Sequence, residues 1–137
     1  VGLILDTSIL IASERRREAP EDILARSRAT HGEIDVAIST IPVAELTHGI
    51  YRASSGEHRA RRLKFTESVF RILVAIPVSF EIAQLAGKIE GQQAAKGIAI
   101  PIQDLLIGAT ALTLDVSVAT LNPRHFQLVP GLQIATL

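Results

Sequence analysis

The feature that most constrains this chain is its alternation of short apolar segments with longer helical ones. Gly2–Asp6, Asp35–Ser39, Leu73–Ile76 and Ser117–Thr120 are apolar runs bounded by polar or turn residues. Several are rich in Val and Ile, so they read as buried strands, with Leu132–Ala135 as a fifth. Between them, 3.6-residue patterns predict helices over Ser8–Glu14, Pro20–Ala29, Ile41–Tyr51, Glu57–Ile72, Phe80–Ala95 and Ile102–Leu114. Thr40 is the expected N-cap of the third helix, with Pro42 in its first turn. Ile102–Leu114 is apolar almost throughout and reads as a central buried helix. Strand and helix in alternation predict an α/β fold. The expectation is one domain over residues 1–137, an α/β/α sandwich around a mostly parallel sheet of four to five strands.

A chain of 137 residues with 47% hydrophobic residues has enough material for one self-sufficient core. There are no cysteines, which excludes a disulfide framework, a thiolate zinc site and a cysteine nucleophile. That usage fits a reducing compartment, and the expected location is the cytoplasm. No apolar run reaches the roughly 18 residues of a membrane span, so no membrane association is expected. The opening VGLILDTSIL lacks a basic leader and carries Asp6 in its middle, unlike a signal peptide. Val1 stands where an initiator Met is usual and reads as a trimmed residue or a GUG start. The 14 basic residues balance the 14 acidic ones, which argues against clamping nucleic acid by overall charge. Arg52, Arg59, Arg61, Arg62, Lys64 and Arg71 nonetheless cluster, either as a solvated helix face or as a stripe facing RNA or a partner.

In parallel sheets flanked by helices, ligands bind beyond the carboxyl ends of the strands. That rule selects the acidic residues to examine. Asp6 ends the first apolar run, where a carboxylate is seldom buried unless paired or metal-bound; helix capping by Asp6 or Thr7 is the alternative. Glu45 lies in AISTIPVAEL, about one turn into the third helix, where an interaction with the helix dipole is the alternative. Asp104 stands near the start of IPIQDLLIGATAL, at the mouth of a core that Gly108, Ala109 and Ala111 suggest is tightly packed. Asn122 follows Thr120 in ATLNPRHF, as a turn former or as a neutral oxygen donor. All four fall on one predicted edge. Carboxylates gathered there repel one another unless a cation is present. Oxygen donors without Cys or paired His suit Mg²⁺ or Mn²⁺ better than Zn²⁺.

LILDTSIL, ISTIPVAELTHGI, IPIQDLLIGATAL and VATLNPRHF, in this order and spacing, resemble the PIN-domain nucleases. The nearest resemblance is to the VapC-like ribonuclease toxins of bacterial toxin–antitoxin pairs. It covers almost the whole chain. It implies a PIN-like domain and an endoribonuclease that uses Mg²⁺ or Mn²⁺ to hydrolyse RNA phosphodiesters. Asp6, Glu45 and Asp104 match the family's acidic residues and are the expected metal ligands. Asn122 falls where many members carry Asp and others Asn, a departure that favours one tightly held cation over two. Thr7, Ser8 and Thr120 match small hydroxyl residues that support the acids. A homodimer and an antitoxin protein are the implied partners.

The alternatives are a PIN-domain RNA-processing nuclease outside any toxin pair and a silent binding domain of the same fold. An aspartyl phosphotransferase built on Asp6 is disfavoured, because Ser8 stands where such enzymes carry a second Asp. Asp22, Asp35 and Asp115 read as caps or surface residues. His31, His48, His58 and His125 lack metal-pair spacing, and His125, beside Arg124, is a candidate for substrate contact.

Overall fold

The computed structural model describes residues 2–137, so the reading of Val1 lies outside the described residues. The elements are β1 (Gly2–Leu5), α1 (Thr7–Arg15), α2 (Pro20–His31), β2 (Asp35–Ser39), α3 (Thr40–Tyr51) and α4 (Gly56–Ile72). They continue with β3 (Val74–Ile76), α5 (Phe80–Ala94), α6 (Ile102–Leu114), β4 (Ser117–Ala119), α7 (Pro123–Phe126) and β5 (Ile134–Ala135). The five strands form one sheet in the order β3-β2-β1-β4-β5. Every pairing is parallel, so the expected "mostly parallel" sheet is wholly parallel among the described residues.

Alternate residues of β1 feed opposite sides of the sheet, as the pleat requires. Leu3 and Leu5 join Ile38 and Ala119 beneath Ile9, Leu10, Ile23, Leu46, Phe65 and Val69, from α1 to α4. Ile4 and Val118 face the other way, against Ile107, Ala111 and Phe126 of α6 and α7. A further cluster, including Ile82, Ala86, Ile89, Leu105 and Ala109, packs α5 onto α6. This is the three-layer sandwich, with helices on both faces of the sheet.

Local readings were corrected in several places. Ser39, not Thr40, caps α3, accepting a hydrogen bond from Ile41 N at 3.1 Å. Thr40 starts the helix, and its hydroxyl instead accepts from Val78 N at 3.3 Å. The fifth strand is only Ile134–Ala135. In α6, residues from Leu105 to Ala111 are mostly buried, but Ile102 and Leu114 at its ends are exposed. The short helix α7 went unread because it is a single turn without room for a periodic pattern. Asp22 and Asp115 do cap helices: Asp22 accepts from Ala19 N, and Asp115 ends α6 with a left-handed φ of 55°.

The strand order reverses between β1 and β4. From β1 the chain builds outward through β2 and β3, then returns to lay β4 and β5 on the other side. The helices after β1 and β4 diverge there, opening a crevice at the carboxyl ends of these two strands.

Candidate functional site

Asp6 occupies the first position after β1, and its backbone N–H donates to Ala119 O at 2.9 Å. It precedes α1 as the N-cap residue, yet its carboxylate makes no capping hydrogen bond. The capping alternative therefore does not explain it. Asp6 Oδ2 instead accepts from Ser8 Oγ at 2.8 Å and from Thr120 Oγ1 at 2.7 Å. These hydroxyls in turn accept from the next loop: Leu121 N donates to Ser8 Oγ and Asn122 N to Thr120 Oγ1, each at 3.0 Å. A hydrogen-bonded knot thus joins the ends of β1 and β4. With its carboxylate engaged this way, Asp6 is buried, at 7% exposure.

Glu45 lies beyond the first turn of α3, which contains no acidic residue, so the dipole explanation is also corrected. Thr7 Oγ1 donates to Glu45 Oε1 at 2.7 Å and ties α3 to the start of α1. Asp104 does sit in the first turn of α6. Its Oδ2 lies 2.8 Å from His125 Nδ1 of α7. With Asp104 ionised, only the imidazole has a hydrogen to share, so Nδ1 donates.

The carboxylates sense each other. Loss of water around Glu45 raises its carboxyl above the ordinary value; the Thr7 hydrogen bond works against this, and the charges of Asp6 and Asp104 add to it. Burial likewise raises Asp104, opposed by its bond to His125 and reinforced by Asp6. Three elements therefore deliver negative charge to one place, where charge neutralisation is favourable.

Asp6, Asp104 and Asn122 line two adjoining cavities, and Glu45, Thr7 and Ser8 line one of them. Thr120 is placed by its bonds to Asp6 and the following loop. The Asn122 side chain makes no hydrogen bond with the chain among the described residues, and the residue precedes α7 as its N-cap. Sequence reasoning offered His125 only as a substrate contact and missed its bond to Asp104. It missed Arg15 as well, which lines the cleft with Glu45. A helical wheel through Ser8, Ala12 and Arg15 would have placed all three on one face. Arg61 and Arg62 of the basic stretch are partly used internally: Arg62 donates to Gly49 O at 2.7 Å, and Arg61 lies 3.8 Å from Glu14.

A divalent cation fits this donor set. Each acid has one oxygen engaged by a hydroxyl or imidazole, while Asp6 Oδ1, Glu45 Oε2 and Asp104 Oδ1 accept no hydrogen bond among the described residues. Hard oxygen donors of this kind suit Mg²⁺ or Mn²⁺. Among the described residues no three acidic or histidine side chains are already drawn into a finished cage. Mutual repulsion opposes such convergence until a cation offsets it.

Comparison with known proteins places this geometry in context. Residues 3–132 match the family model described as PIN domain. The chain is 34% identical to "Ribonuclease VapC" of Rickettsia bellii, over 100% of this chain and 97% of that protein. A crystal structure of DNA-bound VapBC from Salmonella typhimurium superposes with a TM-score of 0.82 at 26% identity, covering 99% of this chain and 98% of the other. VapBC-5 of Mycobacterium tuberculosis, a member of the VapBC family of toxin–antitoxin systems, gives a TM-score of 0.73 at 26% identity, covering 100% and 98%. A match that begins in β1 and ends just before β5, and so takes in Asp6, Glu45, Asp104 and Asn122, shows that the chain belongs to the PIN-domain family, as a relative of the VapC proteins.

Proposed function

We propose that this chain is a divalent-metal-dependent endoribonuclease acting as the toxin of a toxin–antitoxin pair, inhibited by a cognate antitoxin protein. The observation that carries the chemistry is that Asp6, Glu45 and Asp104, from the end of β1, α3 and α6, line one cavity, with the carboxyls of Glu45 and Asp104 held above their ordinary values. The toxin reading is supported by the likeness to a protein named Ribonuclease VapC and to VapBC structures. Work in the cytoplasm and a homodimeric state belong to the same proposal.

Asp6 and Asp104 would hold Mg²⁺ or Mn²⁺, with Glu45 as the third carboxylate. When bound, such a cation offsets charge on a phosphodiester oxygen and acidifies a neighbouring water. Ser8 and Thr120 keep Asp6 in one rotamer, and Thr7 does the same for Glu45. Glu45 Oε2, which accepts no hydrogen bond among the described residues, would orient the attacking water or accept its proton. Asn122, at the junction of the two cavities, offers a neutral oxygen, consistent with one tightly held cation.

The test is cleavage of RNA with Mn²⁺, with EDTA, and with Asp6→Asn or Asp104→Asn. Cleavage should require the cation and fall by at least about 100-fold in either variant, on the scale of lost charge stabilisation. Undiminished cleavage by either variant removes the metal assignment. Growth arrest on expression, relieved by an adjacent gene product, tests the toxin reading. A harmless chain that still cuts RNA favours an RNA-processing role.

A further inference from the structure

The two cavities beside the carboxylates share a common floor made of Asp6, Asp104, Leu121 and Asn122. They measure about 530 and 420 Å³. Each carries one arginine: Arg124 on the α7 side and Arg15 on the α1 side. Both are exposed. Among the described residues neither makes a side-chain hydrogen bond or an ion pair. Arg16 and Arg26, by contrast, are paired with Glu18, Arg28 with Glu33, and Arg61 with Glu14.

This arrangement answers an electrostatic difficulty. Three carboxylates and one divalent cation leave the centre negative, and an RNA backbone adds a charge at every phosphate. The chain has no net charge to draw RNA in. Attraction has to come from cations placed along the path of the strand. A guanidinium fits a phosphate by two parallel hydrogen bonds, which an ammonium does not.

Resting on the nuclease reading above, we propose that Arg124 in one cavity and Arg15 in the other hold the phosphates that flank the scissile one in the bound RNA. The two arginines are positioning residues for the strand and take no part in bond cleavage.

The experiment measures binding of a fluorescein-labelled, mixed-sequence single-stranded RNA to the native protein in EDTA, where it is not cleaved, across a KCl series. Arg15→Ala or Arg124→Ala is added, with Lys88→Ala as a control on α5, outside both cavities. Each arginine variant should lower the log K against log salt slope by about 0.7, the value for one phosphate contact on a single strand. On the otherwise native protein each should raise KM about tenfold, on the scale of one charge-assisted hydrogen bond, with kcat little changed. Arg15→Lys should keep the slope but not the full KM. Lys88→Ala should match its parent. A native protein that cuts RNA while both arginine variants keep its slope and KM overturns the inference and leaves the nuclease reading intact. A native protein that neither binds nor cuts RNA removes the nuclease reading, and this inference with it.

Discussion

His125 Nδ1 lies 2.8 Å from Asp104 Oδ2, bridging α7 to the first turn of α6 across 21 residues of sequence. The bond occupies one oxygen of Asp104 and leaves the other without a hydrogen bond among the described residues. Partners that orient a ligating carboxylate are worth roughly 10–100-fold in metal affinity. His125→Ala should therefore weaken Mn²⁺ binding by about that factor in calorimetry, with the fold intact. His125→Asn, which keeps an N–H donor, should recover part of it. Equal affinity in the native and His125→Ala proteins would sink the idea.

Thr7 is expected to set the acid limb of the pH profile. Its hydroxyl lowers the Glu45 pKa against the larger effect of burial. Thr7→Val removes that bond at nearly constant volume, so the Glu45 carboxyl rises further. If ionised Glu45 is required, the acid limb of kcat/KM moves to higher pH. A limb that stays in place would mean that Glu45 ionisation does not govern the rate.

The raised carboxyls also make a stability prediction. Glu45 titrates above its ordinary 4.5, so the folded chain holds that proton more tightly than the unfolded chain. Its contribution to stability is present below the unfolded value and is lost as pH rises through the folded one. Glu45→Gln should therefore raise the melting temperature of the metal-free protein at pH 7, with the gain vanishing as the pH falls toward 4.5. Mn²⁺ at about 100 times its Kd should stabilise the native protein by about 2.7 kcal/mol. Asp6→Asn should lose most of that increment. A metal-free Glu45→Gln protein that melts below the native one at pH 7 contradicts the sign.

Phe126 anchors the turn that carries Asn122, Arg124 and His125. It is 1% exposed and packs in the cluster with Ile4, Ile107 and Val118. Phe126→Ala should cost about 3–5 kcal/mol in denaturant unfolding. Because α7 would lose its anchor, Mn²⁺ affinity should fall too, even at temperatures where the protein stays folded. Loss of stability with unchanged Mn²⁺ affinity would separate the anchor from the site.

Much of this was legible in one dimension because it follows from local periodicity. The apolar run before Asp6 had to be a strand, and the stripe Ile82, Ala86 and Ile89 had to face a core. Alternating the two predicts parallel strands with their carboxyl ends on one edge, which singles out Asp6, Glu45, Asp104 and Asn122. Tertiary structure decided which oxygen of each acid accepts a hydrogen bond and which is left without one. The distant partners, Thr120 for Asp6 and His125 for Asp104, lie 114 and 21 residues away; only the family resemblance pointed to Thr120, and no local pattern pointed to the His125 bond. It also decided that Arg15, unremarkable in sequence, stands free at the cleft while Arg61 is spent against Glu14. Side-chain periodicity depends on the backbone a few residues either way. Pairing of charges and hydrogen bonds depends on which distant elements the sheet order makes neighbours, and here that order brings the ends of β1 and β4 together.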